Sequence, residues 1–156
     1  MIALRSVALQ ALSLISVLAS SVVGQEPPES ILDRLGGRWT FEVRSTKGLV
    51  TERGTSEFTR VSPQVLTIIH ESSMDRISSA RLSFDGALGE FKYEIPVDAG
   101  VCSVRGRQVS PTVIHFARDG SCSNLVTGVT LDFDSVGGFT FTADGGQWVS
   151  KYERLP

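Results

Sequence analysis

The sequence predicts an all-β protein: an antiparallel up-and-down meander of about 8–10 strands, closed into a barrel and entered through a short N-terminal helical turn. Three observations predict it. Apolar and polar residues alternate along most of the chain, turn-forming residues interrupt the alternation every ~8–12 residues, and helical signals are confined to one short stretch. Each alternating run has one apolar and one polar face, and the short turns between runs leave no room for Greek-key crossings. A long meander of this kind removes its exposed edges by closing on itself.

The elements follow in chain order. In "PPESILDRLGG", Pro28 suits a first helical turn, Glu29 suits its positive end, and Gly36-Gly37 stops it after two turns at most. "WTFEV" turns Trp39, Phe41 and Val43 one way, and "SSARLSFDG" does the same with Ala80, Leu82 and Phe84. "EFKYEIPV" sets Phe91, Tyr93, Ile95 and Val97 against Glu90, Lys92 and Glu94. "VTLDFD" offers Val129, Leu131 and Phe133, and "GFTFTADGG" offers Phe139 and Phe141. Turns are marked by Lys47-Gly48, Ser62-Pro63, Asp85-Gly86, Asp98-Ala99-Gly100, Ser110-Pro111, Asp119-Gly120, Gly137-Gly138 and Asp144-Gly145-Gly146.

Ahead of these elements lies a leader. Arg5 supplies one positive charge, Val7 to Val23 is apolar apart from Gln10 and a few serines, and small residues gather at Ala19-Ser20-Ser21 and Gly24. That layout predicts a secretory signal peptide over 1–24, cleaved after Gly24 or Ser21. Residues 25–156 would then be a single exported domain, secreted or periplasmic, with Gln25 to Pro28 as a loose leader. As a membrane anchor the stretch is weak, since it holds Gln10 and several serines and has no basic flank on its far side. No second long apolar run follows, so no membrane association is expected after cleavage.

Charge and cysteines narrow the partners. The chain carries a net charge of −2, and losing Arg5 makes the mature form more acidic by one. With no Lys/Arg cluster, this argues against nucleic acid and against anionic membranes. Two cysteines in an exported chain point to one disulfide. Cys102 and Cys122 bracket "SVRGRQVSPTVIHFARDG", a stretch that folds back near Ser110-Pro111 and brings its ends together. The rival, a Cys122–His115 nucleophile, fits an oxidising compartment poorly.

The opening "LGGRWTFEV" carries a resemblance. A helical turn, then Gly37-Arg38-Trp39 leading into the first strand, then an antiparallel meander resembles the calycin superfamily, which includes the lipocalins. Arg154, in "WVSKYERLP", stands where lipocalins place a basic residue across that tryptophan. "ARLSFDGALGEFKYEIPVDAG" is similar to a pattern in bacterial exported lipocalin-like domains of unknown function. The resemblance implies a barrel closed by Gly37, Trp39 and Arg154. The chain departs from it in having no sequence for a C-terminal helix. Related haem-binding barrels use a histidine near the C-terminus, and none follows His115, so no haem or other cofactor is expected.

Signals of chemistry are sparse. His70 and His115 are the only histidines. His70 is adjacent to Glu71 and so faces the opposite way, and His115 has outward parity beside Ile114 and Phe116, so exposed or edge histidines and no metal are expected. Asp132 and Asp134 share a solvated face, and neither a nucleophile elbow nor a phosphate loop is present. A barrel enzyme would need an interior polar cluster, of which the sequence shows no sign. The interior remains. Phe41, Phe84, Tyr93, Phe116, Phe133, Phe141, Trp148 and Tyr152 have inward parity, and they either fill the barrel or line a small-ligand pocket with polar groups such as Thr67, Arg105 or Tyr152. The expected function is non-catalytic binding of a small apolar or amphipathic ligand in the barrel interior. The alternative is a secreted interaction module, such as a barrel-type protease inhibitor, acting through rim loops or the leader at Gln25 to Ser30.

Overall fold

The structure, a computed structural model, describes residues 28–74, 76–97, 100–118 and 128–156. The expected signal peptide, the Asp98-Ala99 and Asp119-Gly120 turn residues and Cys122 lie outside these residues. A helix α1 (Pro28–Leu35) leads into ten strands: β1 (Gly37–Ser45), β2 (Val50–Ser62), β3 (Val65–Ser72), β4 (Ile77–Asp85), β5 (Glu90–Val97), β6 (Gly100–Ser110), β7 (Val113–Arg118), β8 (Gly128–Phe133), β9 (Phe139–Ala143) and β10 (Trp148–Arg154). Every strand pairs antiparallel with its chain neighbours, and β1 pairs with β10 through Phe41↔Tyr152, so the meander closes into a ten-stranded barrel.

The two-residue period sets which side chains enter it. On β5, Phe91 is buried while Tyr93 and Ile95 pack against the core, and Lys92 reaches Glu94 on the opposite face at 2.6 Å. Val97 shares the inward parity but is 47% exposed, because the strand outruns the packed interior. The turns use their marked residues. Asp85 Oδ1 accepts from the Ala87 and Leu88 N–H groups, and Asp134 Oδ1 accepts from Val136 and Gly138.

The end where β1 begins is sealed. A two-turn helix is too short to hold itself together in water, so α1 depends on the apolar face it buries. Ile31, Leu32 and Leu35 are fully buried and join a core with Trp39, Phe58, Phe133 and Phe139. The Trp39 indole packs edge-on against Phe139, with centroids 4.8 Å apart, and its Nε1 donates to the Leu35 carbonyl at 2.8 Å. Arg154 lies opposite Trp39 in the β1–β10 register, with its guanidinium carbon 4.3 Å from the indole centroid. Its Nη1 donates to the Gly36 carbonyl at 2.9 Å and its Nη2 to the Arg34 carbonyl at 2.6 Å. These carbonyls end the helix, where free acceptors and the negative pole of the helix dipole favour a cation. Gly37, at φ +121°, makes the passage from helix to strand, and a β-carbon there would sit 2.8 Å from Arg154 Nη1.

Arg154 therefore couples the last strand to the first strand and to the plug. It is an exposed residue, which moderates the cost of losing it. Arg154→Ala should destabilise the protein by about 1–2 kcal/mol in urea unfolding, through the stacked guanidinium and two charged hydrogen bonds. Arg154→Lys should recover only part, since an ammonium cannot stack as a plane. A double-mutant cycle with Trp39→Phe should return a clear coupling energy; none would show the two residues acting independently.

Candidate functional site

Beyond the plug the barrel is hollow. A cavity of about 410 Å³ occupies the half of the interior away from α1, and all ten strands contribute to its wall. Two strand glycines stand opposite rings of its wall. Gly54 on β2 lies opposite Phe41, and a β-carbon there would come within 2.8 Å of the Phe41 ring. Gly106 on β6 lies opposite Phe116 and would bring one within 2.6 Å of that ring. Each ring thus packs directly on bare backbone. Serines at 78 and 150 and valines at 43, 104 and 129 are among the small side chains of the wall.

Of the residues with expected inward parity, Phe41, Tyr93, Phe116, Phe141, Trp148 and Tyr152 line this cavity. Two do not. Phe84 packs on Phe91 at 4.9 Å outside the cavity, and Phe133 is buried in the plug core beneath Arg34, whose guanidinium carbon is 4.0 Å from the ring centroid. Both have the right parity but stand at the wrong height along the barrel axis. Thr67 and Arg105 are exposed on the outer surface. Thr67 Oγ1 donates to the Thr59 carbonyl, and Arg105 reaches Glu90 at 3.4 Å. Their strand neighbours Leu66, Ile68 and Val104 take the inward positions instead.

His70 reverses an expectation. It is not an exposed or edge residue: it follows Leu66 and Ile68 at the same parity and lines the cavity. Its Nδ1 is 2.6 Å from Ser56 Oγ, its register partner on β2, and the Phe41 ring stands edge-on at 5.8 Å. Burial pushes the His70 pKa down, against a smaller upward pull from Glu52, so the imidazole is neutral at pH 7. The Tyr152 ring stacks on Phe139 at 4.4 Å, and burial pushes its hydroxyl up to about 12, with Ser150 and Ser56 tempering the rise. Burial likewise raises Tyr93. Ser150 Oγ is buried and, although near Tyr152, makes no well-formed hydrogen bond among the described residues. Glu52, Ser56, His70, Ser150 and Tyr152 thus form an interior polar cluster, of which the sequence indicates only Tyr152. Its groups can donate and accept hydrogen bonds inside a mostly apolar chamber.

The other candidates stay on the outside. His115 faces outward with Nε2 3.3 Å from Asp144 Oδ2, Asp132 is exposed, and Asp134 caps the β8–β9 turn. No group of three or more His, Cys, Asp or Glu residues that could hold a metal occurs among the described residues. Cys102 is buried at the cavity wall, and no free cysteine is found among the described residues.

A neutral buried histidine links stability to pH. The unfolded chain takes up a proton near pH 6.5, where the folded chain does not, so His70 favours folding above that pH and the contribution fades as pH falls. The urea midpoint should drop between pH 7.5 and 5.5, and His70→Gln should flatten that drop. An equally steep loss in the variant would assign the pH dependence to other groups.

No family model matches the chain, and no curated protein matches it. Among solved structures it is similar to a redesigned β-barrel, b11L5F_LGL, at 15% identity over 80% of this chain and 95% of that one, with a TM-score of 0.39. It is also similar to a de novo designed fluorescence-activating β-barrel, at 18% identity over 80% and 96% of the two chains (TM-score 0.38). A third likeness is to EF1p2_mFAP2b bound to DFHBI, at 12% identity over 81% and 98% (TM-score 0.40). Likenesses at this level carry no inference about what this chain binds.

Proposed function

We propose that this protein is an exported, lipocalin-like β-barrel that binds one small apolar or amphipathic molecule in its interior and performs no chemistry on it. The observation that carries the reading is the cavity of about 410 Å³, walled by six aromatic side chains and a few converging polar groups. Its size falls within the roughly 300–1,000 Å³ typical of small-molecule sites, and its lining has their mix of apolar wall and sparse polar anchors. Binding is driven by removing ligand surface from water, at about 25 cal/mol per Å² before ordering costs. The lipocalin-like reading is supported by Gly37-Arg38-Trp39 and Arg154 at the sealed end. Residues 25–156 form the one mature domain after signal-peptide cleavage, and Cys102 is bridged to Cys122.

Two measurements test this reading. N-phenyl-1-naphthylamine, a neutral apolar fluorophore, should bind saturably at one site per chain. Val104→Trp, which puts an indole into the cavity, should reduce its affinity at least tenfold (about 1.4 kcal/mol) while leaving a folded barrel. Absence of saturable binding, or equal binding by the variant, would overturn the proposal. For the bridge, thiol titration of the denatured, unreduced mature protein should find no free thiol, whereas two per chain would refute it. A loop of about 20 residues closed in this way contributes roughly 3 kcal/mol.

A further inference from the structure

Building on the ligand-binding reading above, we infer that the ligand is an apolar molecule bearing a cationic nitrogen, an amine or ammonium, which Glu52 and Ser150 receive on one side of the cavity wall. The register sets the place. Val43 on β1 is paired with Glu52 on β2 and with Ser150 on β10, so the three stand at one level with Val43 in the middle. All three line the cavity. Two strand spacings put the backbones of Glu52 and Ser150 about 10 Å apart, room for a small head group between their side chains.

The chemistry selects the sign. Among the described residues that line the cavity none is a lysine or arginine, and one is a carboxylate, Glu52. That carboxylate has no ion-pair partner among the described residues, unlike Glu42 and Glu90, which hold arginines on the outer surface. Its field reaches across the interior, since it acts on both His70 and Tyr152. Ser150 Oγ, on a residue only 4% exposed, lies beside the Tyr152 hydroxyl, has no hydrogen bond of full geometry among the described residues, and can accept from a ligand N–H. An unsatisfied buried hydroxyl is costly, and a donor-rich head group removes that cost. An ammonium has donors and no acceptors, which matches a carboxylate and a hydroxyl. The neutral His70 imidazole adds no competing charge, and an aromatic wall that includes Phe41 and Trp148 suits a cation better than an anion. A carboxylate ligand would meet Glu52 as a like charge with no cation among the described wall residues to offset it, so this wall disfavours fatty-acid-type ligands.

The test compares three ligands of one shape, 4-phenylbutylamine, 4-phenylbutan-1-ol and 4-phenylbutyrate, each displacing N-phenyl-1-naphthylamine at pH 7.5. The amine should bind at least about tenfold tighter than the butyrate, with the alcohol between them. Glu52→Gln should abolish the amine's advantage, so that within the variant the amine binds no tighter than the alcohol. Equal or tighter butyrate binding, an amine preference that survives Glu52→Gln, or failure of all three to displace a bound probe would overturn the inference while leaving the cavity reading in place. Failure of the probe itself to bind wild-type protein would overturn both.

Discussion

Trp39 holds three parts of the molecule at once. Its ring fills the end of the barrel, its Nε1 fixes the last turn of α1, and its other side carries Arg154 from the final strand. A ten-stranded meander closes only if β1 and β10 meet, and here their meeting point is also the place where the plug is tied down. Arg154 joins the contributions: its two hydrogen bonds end on carbonyls of the helix terminus, and its plane lies on the indole. The consequence is asymmetry. One end is packed with α1, Phe58, Phe133 and Phe139, so open space can persist only toward the other.

That space is maintained by a choice of wall rather than by a shortage of large side chains. Six aromatic residues line the cavity without filling it. Gly54 and Gly106 let the Phe41 and Phe116 rings pack directly on backbone, where a β-carbon would collide with the ring. A leucine-sized side chain turned into the void would gain about 1.5–3 kcal/mol by burial, so an open chamber forgoes stability in the way functional sites do. The buried polar groups are of the same kind. Ser56, His70 and Ser150 would be simpler to replace by apolar residues if the interior served packing alone.

Much of this was legible in the sequence. Strand alternation, turn residues and the single helical stretch indicate a closed meander, and the positions of Trp39 and Arg154 indicate its sealed end. What period two does not encode is height along the barrel. Phe84 and Phe133 share the parity of Phe41 and Tyr93, yet strand register alone decides that they stand outside the cavity. His70 is legible by parity, which it shares with Leu66 and Ile68, whereas its polar character and its place beside Glu71 point to the surface. Thr67 and Arg105 fail by the same test, each being one residue from an inward position. The strand glycines 54 and 106 are the overlooked signal, since a glycine inside a strand marks the close approach of something else.

The two tryptophans, one in each half of the barrel, allow the central claim to be measured directly. Trp39 is buried at the sealed end and Trp148 lines the cavity. A small brominated alcohol such as 6-bromohexan-1-ol quenches indole emission by contact. Titrated into wild-type protein, it should cause a saturable loss of fluorescence. In Trp148→Phe, which retains Trp39 and should still bind N-phenyl-1-naphthylamine, it should cause none. Equal quenching of the two proteins, or no saturable quenching of either, would contradict a barrel sealed at the Trp39 end and open to ligands at the other.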